Sequence, residues 1–379
     1  MKKMLLLGVF AFYVMPAFAG VDAWADAYQS FKTDLQNKTG LSYSLDVSFL
    51  PQRGAPSGKV TAWQTQYYGS ASWNMFSSDT FGSGVLQAAY TAVRYWGNNA
   101  NVLGNNIGVI SSVNDYPSNV NNFDELSYTH TLPGKLKSIS VTLGQFPMYN
   151  FDGTDYNSNQ QINFINFALS QNASSVYPTA SLGGYITWAP NNTWSFTVGG
   201  QNANNVSGET ISWDDFQKGK WTSFVSASWN PTIMGLAGEY SITLYDQPSV
   251  SAQPVHSQGW SFNAQQFINK KMALFARANG TNKSLSSIKQ SYVIGAVYNN
   301  PLNRNSLDQI GLAAAMNKLN RSVNGAGTRS WENVLEGYIS VGVSNFMTIT
   351  PDVQFYINPG ANEKSNTATV VSLRATLMF

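Results

Sequence analysis

The 379-residue sequence carries 22 basic and 20 acidic residues, two histidines and no cysteine. This composition excludes disulfide scaffolds, thiolate metal sites and cysteine nucleophiles, and it leaves little for a histidine-rich metal site. Charged residues make up only 11% of the chain and aromatic residues 13%. Such a mixture suits strands with one apolar and one polar face, so composition leaves open both a secreted β-protein and a transmembrane β-barrel.

The N-terminus has the form of a secretory signal. Lys2 and Lys3 precede an apolar run over residues 4–15, and Ala17-Phe18-Ala19 supplies the small residues of a cleavage site. We therefore predict a signal peptide over residues 1–19. The run is too short to cross a bilayer as a helix, which needs about 20 residues. Without the two lysines the remaining basic and acidic residues balance, so no nucleic-acid partner is expected.

Residues 20–40 are predicted to form an N-terminal periplasmic helical segment. Within residues 21–37, Trp24, Tyr28, Phe31 and Leu35 recur at helical spacing, and Asp22 precedes them as a cap. The sequence leaves open whether this helix docks at the periplasmic mouth or lies in the lumen.

From residue 41 onwards the dominant pattern is strict alternation of apolar and polar residues. Leu41, Tyr43, Leu45, Val47 and Phe49 alternate with polar residues in the first run, and the last run ends on the aromatic Phe379. Period-2 alternation predicts half-buried strands. Sixteen such runs are predicted, over residues 41–49, 60–76, 85–96, 123–132, 138–146, 180–189, 194–201, 221–229, 235–245, 258–267, 272–281, 291–298, 308–317, 332–343, 347–356 and 370–379.

The connections between these runs alternate between short turns and long loops rich in Asn, Gly and Ser. Short periplasmic turns and long outer loops are typical of outer-membrane barrels. We therefore predict an all-β transmembrane antiparallel β-barrel of about 16 strands over residues 41–379. The third loop, residues 147–179, contains an apolar stretch over residues 162–169. We assign this stretch to a loop that folds inward, because an exposed flap would leave Phe164 and Phe167 unburied.

Alternation also predicts which charged side chains face the lumen, since a charge at the mid-bilayer lipid face costs roughly 2 to 4 kcal/mol. Glu336, Asp352, Arg374 and Asp46 lie on consecutive strands across the barrel closure, where they could form a ladder of charge pairs. That ladder could bind a polyhydroxylated solute or only stiffen the wall. The aromatic residues on these faces could stack on sugar rings or pack against the third loop. The predicted pore-lining and substrate-binding residues are Arg277, Glu336, Asp352, Arg374, Glu239, Asp46, Glu125, Tyr338 and Tyr356.

Several short segments resemble the OprB-like carbohydrate-selective porin family. They are Gly259-Trp260-Ser261-Phe262, Leu274-Phe275-Ala276-Arg277, Val334-Leu335-Glu336-Gly337-Tyr338, and above all the stretch from Pro351-Asp352-Val353-Gln354 to Asn358-Pro359-Gly360. The resemblance implies a sixteen-stranded pore for glucose or other small sugars with charged residues at its constriction. Arg277, Glu336 and Asp352 are the positions where resemblance and alternation agree.

These observations predict an outer-membrane porin that gives passive diffusion to small hydrophilic solutes, with sugars expected. Its other predicted partners are outer-membrane lipid and the barrel assembly machinery, which would recognise Phe379. A ferric-siderophore porin of related barrel type is the alternative. No cofactor and no enzymatic activity are expected, because His130 and His256 have no recognisable catalytic motif around them.

Overall fold

The computed structural model describes residues 19–55, 60–283, 285–362 and 364–379. Apart from Ala19, the predicted signal peptide lies outside the described residues. Within these ranges, no helix is both long enough and apolar enough to pass through a bilayer.

Sixteen long antiparallel strands form one closed barrel, because the first strand pairs with both the second and the last. A two-residue strand, Thr232–Ile233, extends one turn. The predicted fold class and strand count are confirmed. The strands are β1 Leu41–Ala55, β2 Thr61–Ser78, β3 Gly82–Tyr95, β4 Val120–Thr131, β5 Ile139–Phe146, β6 Ser181–Trp188, β7 Trp194–Asn202, β8 Trp221–Trp229, β9 Leu236–Gln247, β10 Ser257–Phe267, β11 Met272–Thr281, β12 Ile288–Asn299, β13 Gln309–Leu319, β14 Trp331–Gly342, β15 Met347–Ile357 and β16 Thr367–Met378.

The two faces of each strand differ as alternation predicts. In β14, Glu336 and Tyr338 are buried inside the barrel, whereas Leu335 and Ile339 are 42% and 52% exposed on the outside. A water-soluble protein would bury the aliphatic residues instead. An apolar exterior around a polar interior is the arrangement that a lipid bilayer requires.

The N-terminal helix α1, Ala19–Thr39, lies at the end of the barrel that has the short turns. The Tyr28 hydroxyl donates to the Tyr43 hydroxyl at 2.9 Å, and the rings of Tyr28 and Phe379 lie 6.4 Å apart. Asn345, in the turn between β14 and β15, donates to Asp26 at 2.6 Å. The helix begins two residues before and ends two residues after the helical pattern of residues 21–37, and the contacts above place it at the barrel mouth.

Short helices occur within the long loops. They are α2 Ala100–Ile107, α3 Phe167–Ser170, α4 Trp213–Gln217 and α5 Arg321–Asn324, with 3₁₀ turns at Gly134–Leu136 and Met148–Phe151. The apolar stretch over residues 162–169 forms no strand, as predicted, and ends in α3. The second loop, residues 96–119, connects β3 to β4 and contains α2.

Candidate functional site: the lumen and its loops

The predicted site residues all lie on interior faces of the barrel, but they differ in exposure. Asp46 and Glu239 are partly exposed and Glu125 is 9% exposed. The others are at most 4% exposed, and they are Arg277, Glu336, Asp352, Arg374, Tyr338 and Tyr356. A solute in the lumen would therefore reach only part of the predicted set.

Glu336 is covered by the third loop. Its carboxylate accepts the backbone N–H of Ile165 at 2.5 Å and that of Asn166 at 2.9 Å. Hydrogen bonds to a charged group are each worth about 1.5–3 kcal/mol, so this contact fixes the loop to β14.

The two interior arginines contact the same loop. The guanidinium of Arg374 donates to the backbone carbonyls of Gln160 and Asn163, the latter at 2.6 Å. Arg277 donates to the carbonyl of Asn157 at 2.5 Å and to the side chain of Asn263 at 2.9 Å. Peptide carbonyls of residues 157–163 thus take the place of carboxylates as the partners of both arginines.

The ladder of charge pairs that the sequence left possible does not form among the described residues. Among the described residues, the ion pairs are Lys38–Asp34, Lys218–Asp215, His256–Asp246 and Arg304–Asp308, and none joins two of the predicted site residues. The register explains part of this result, since Glu336 lies opposite Gln354 and Arg374 opposite Thr350. The third loop then supplies closer polar partners to both Glu336 and Arg374.

Aromatic residues of the wall pack against the third loop. The Phe164 ring lies 4.9 Å from that of Tyr338 and 5.5 Å from that of Phe275. The Tyr356 hydroxyl accepts a hydrogen bond from the side-chain amide of Asn166 at 2.7 Å. Of the two roles that the sequence left open for these wall aromatics, Tyr338 and Tyr356 take the packing role.

The second loop is attached to the wall by a residue that the sequence reasoning missed. Glu332 is fully buried and accepts the backbone N–H groups of Ile110, Ser111 and Gly360 at 2.8, 2.7 and 2.6 Å. Alternation could have identified it, because Glu332 lies on the same face of β14 as Glu336. Because Glu332 is the second residue of β14, it did not stand out as a mid-strand interior charge.

The second and third loops are also joined to each other. Asp115 accepts hydrogen bonds from the hydroxyl of Ser170 and from the side-chain amide of Gln171, and its backbone N–H donates to Gln160 at 2.9 Å. Burial raises the pKa of the Asp115 carboxyl to about 7, although these hydrogen bonds lower it. The two loops therefore form one polar layer against the barrel wall.

Comparison with known proteins identifies the barrel. The family model described as "Carbohydrate-selective porin, OprB family" matches residues 84–379. The chain belongs to the OprB family. This porin is also 36% identical to "Porin AaxA" of Chlamydia muridarum over 371 residues, covering 92% of this chain and 80% of that protein. It is 35% identical to "Porin AaxA" of Chlamydia pneumoniae over 366 residues, covering 93% and 83%.

Solved structures show the same fold. The high-pH structure of Pseudomonas putida OprB aligns with a TM-score of 0.76 at 17% identity, covering 93% of this chain and 97% of that one. The low-pH structure of the same protein aligns with a TM-score of 0.60 at 18% identity, covering 93% and 96%. The resemblance predicted from the C-terminal motifs is thus confirmed. The chain is an outer-membrane porin and not an enzyme, and these relatives do not favour the siderophore alternative.

Proposed function

We propose that this porin gives passive diffusion to small carbohydrates, through a lumen that the inward-folded third loop narrows. The attachment of the third loop to Glu336 and Arg374 carries this proposal, because those contacts hold the loop against interior side chains at mid-strand positions. The buried amides of this loop, including Gln160, Gln161, Asn163 and Asn166, show how rich in hydrogen-bonding groups the layer is. Neutral hydrogen-bonding groups suit a polyhydroxylated solute.

The predicted site residues take two roles in this proposal. Arg277, Glu336, Asp352, Arg374, Tyr338 and Tyr356 form the wall behind the loop and hold or support it. Asp46 and Glu239 face the open lumen, and Glu125 lies on the same inner face but is only 9% exposed. Loop position and lumen charge would then be set by different residues.

Two further steps concern how the protein reaches the membrane. Residues 1–19 are proposed to direct export and to be cleaved, which N-terminal sequencing of the mature protein tests. The terminal Phe379 is proposed to be recognised by the barrel assembly machinery. In the folded barrel its backbone N–H donates to the carbonyl of Leu45 at 2.9 Å, next to the junction of β1 and β16.

Reconstitution of the full-length mature protein in planar bilayers tests the transport proposal. Adding glucose or maltose on one side should reduce the ion current reversibly and with a saturating concentration dependence. A polyethylene glycol of similar size is the matched control, and it should reduce the current less at equal concentration. A barrel that conducts ions but is indifferent to sugars would contradict the proposed selectivity, and block by ferric chelates alone would support the siderophore alternative.

A further inference from the structure

We infer that the open part of the lumen is a carboxylate-lined passage beside β1–β9, which passes small cations in preference to anions. The inference rests on the proposed function in one respect, that solutes cross the membrane through this lumen. It concerns the sign of the charge that a solute meets, which neither the family nor the sugar proposal assigns.

The wall is unequally exposed around the barrel. Mid-strand interior residues of β10–β16 are buried, among them Asn263, Arg277, Glu336, Asp352 and Arg374. Some interior residues of β2–β6 remain partly exposed, namely Tyr68, Ser70, Gln87, Thr129 and Thr187, whereas Gln66, Thr91, Ser127 and Thr142 of the same strands are at most 4% exposed. The second and third loops cover the β10–β16 set more completely, so the free passage runs along the partly exposed residues of β2–β6.

The interior arginines of the strands lie behind the third loop. Arg277 and Arg374 are each 1% exposed. Their guanidinium groups donate to carbonyl oxygens of Asn157 and Asn163 at 2.5 and 2.6 Å. A solute on the open side therefore meets the loop before it meets either guanidinium.

Carboxylates remain on the open side. Glu239 is partly exposed on β9 and lies opposite Gln265 of β10, and Asp155 is an exposed residue of the third loop. The Asp155 side chain also accepts a hydrogen bond from Gln265 at 3.4 Å. Gln265 thus lies between two carboxyl groups on the passage, those of Glu239 and Asp155.

Further along the wall, Asp46 is partly exposed on β1, whereas Glu125 is only 9% exposed and accepts a hydrogen bond from Ser127 at 2.7 Å. Among the described residues, one cation interacts electrostatically with Asp46. It is Lys32 of α1, whose ammonium lies 5.2 Å from the centre of the Tyr43 ring. A passage lined by one sign of charge between low-dielectric walls concentrates counter-ions, so the excess of carboxylates favours cations.

The test is the reversal potential of the full barrel under a KCl gradient. We expect permeability to K⁺ to exceed that to Cl⁻ by about threefold at 0.1 M salt and by less at 1 M, where the Debye length falls to about 3 Å. The double variant Glu239→Gln with Asp155→Asn should bring the ratio close to one.

Asp246→Asn is the matched control, because this carboxylate pairs with His256 on the outward face of β9 and lies off the passage. It should leave the ratio unchanged. Preference for Cl⁻, or an unchanged ratio in the double variant, would overturn the inference. Sugar block measured on the same channels separates the two proposals, since a cation-selective channel that sugars do not block contradicts only the carbohydrate proposal.

Discussion

The carboxylate of Glu336 accepts the backbone N–H of Asn166 at 2.9 Å, which joins a strand of the barrel wall to a loop 170 residues earlier in the chain. A charged side chain in the wall therefore acts on the lumen through the position of a loop.

Glu336→Gln should loosen the third loop. One carboxylate oxygen becomes an NH₂ group, which faces the N–H of either Ile165 or Asn166, so a charged hydrogen bond of about 1.5–3 kcal/mol is lost. We expect a larger and noisier single-channel conductance, with unchanged strand content by circular dichroism. Asp34→Asn removes an exposed carboxylate of α1 and serves as the control. Identical conductance in Glu336→Gln and the parent protein would show that Glu336 does not hold the loop.

Gly311→Ala should destabilise the barrel. A methyl group at this interior position would overlap the ring of Tyr338, which packs on Phe164 of the third loop. Overpacking costs about 1–3 kcal/mol, so the apparent melting temperature in detergent should fall. Gly337→Ala is the control on the neighbouring strand, since its methyl group would meet Leu312 at an ordinary 3.6 Å. Equal melting temperatures for the two variants would contradict this packing argument.

Ile294→Arg should prevent insertion. Ile294 is 68% exposed on the outer face of β12, where an arginine costs about 2–4 kcal/mol near the bilayer midplane. Leu302 is 79% exposed, in the turn between β12 and β13, so Leu302→Arg should insert normally. Folding yield into lipid vesicles measures both. Normal yields for Ile294→Arg would mean that this face does not contact lipid.

Asp115→Asn should change how stability depends on pH. The pKa of Asp115 is about 7 in the folded barrel against an ordinary 3.8, so the folded state binds the proton more tightly than the unfolded state. The contribution of Asp115 to stability is thus complete below pH 3.8 and is lost as the pH rises through 7. The difference in melting temperature, variant minus parent, should therefore increase between pH 4 and pH 8. Asp214→Asn, at an exposed loop position, should show no such gain.

Phe379→Ala should lower the amount of protein assembled in the outer membrane. The side chain lies against the Phe346 ring at 5.9 Å, so its loss removes both a packing contact and the proposed recognition group. Phe346→Ala removes the packing contact alone. Membrane fractions compared by immunoblot should show a larger loss for Phe379→Ala than for Phe346→Ala, and equal losses would assign the whole effect to packing.

The sequence alone determined the barrel. Alternation is a local property, because successive side chains of a strand point to opposite faces. It therefore predicted the sixteen strands, the apolar exterior and the inward direction of Arg277, Glu336 and Arg374. The terminal strand and the Pro351-Asp352-Val353-Gln354 motif are also local features, and they were enough to indicate the family.

Only the tertiary structure decided what those interior charges contact. Asn157 and Arg277 are 120 residues apart, and no periodicity relates a loop carbonyl to a guanidinium across the barrel. Loop conformation depends on such distant contacts. The alternation therefore placed the charges on the inner face, but it could suggest only one another as their partners. In the folded barrel they meet the backbone of the third loop, because buried charges require partners and the peptide groups of residues 157–166 lie within hydrogen-bonding distance of them.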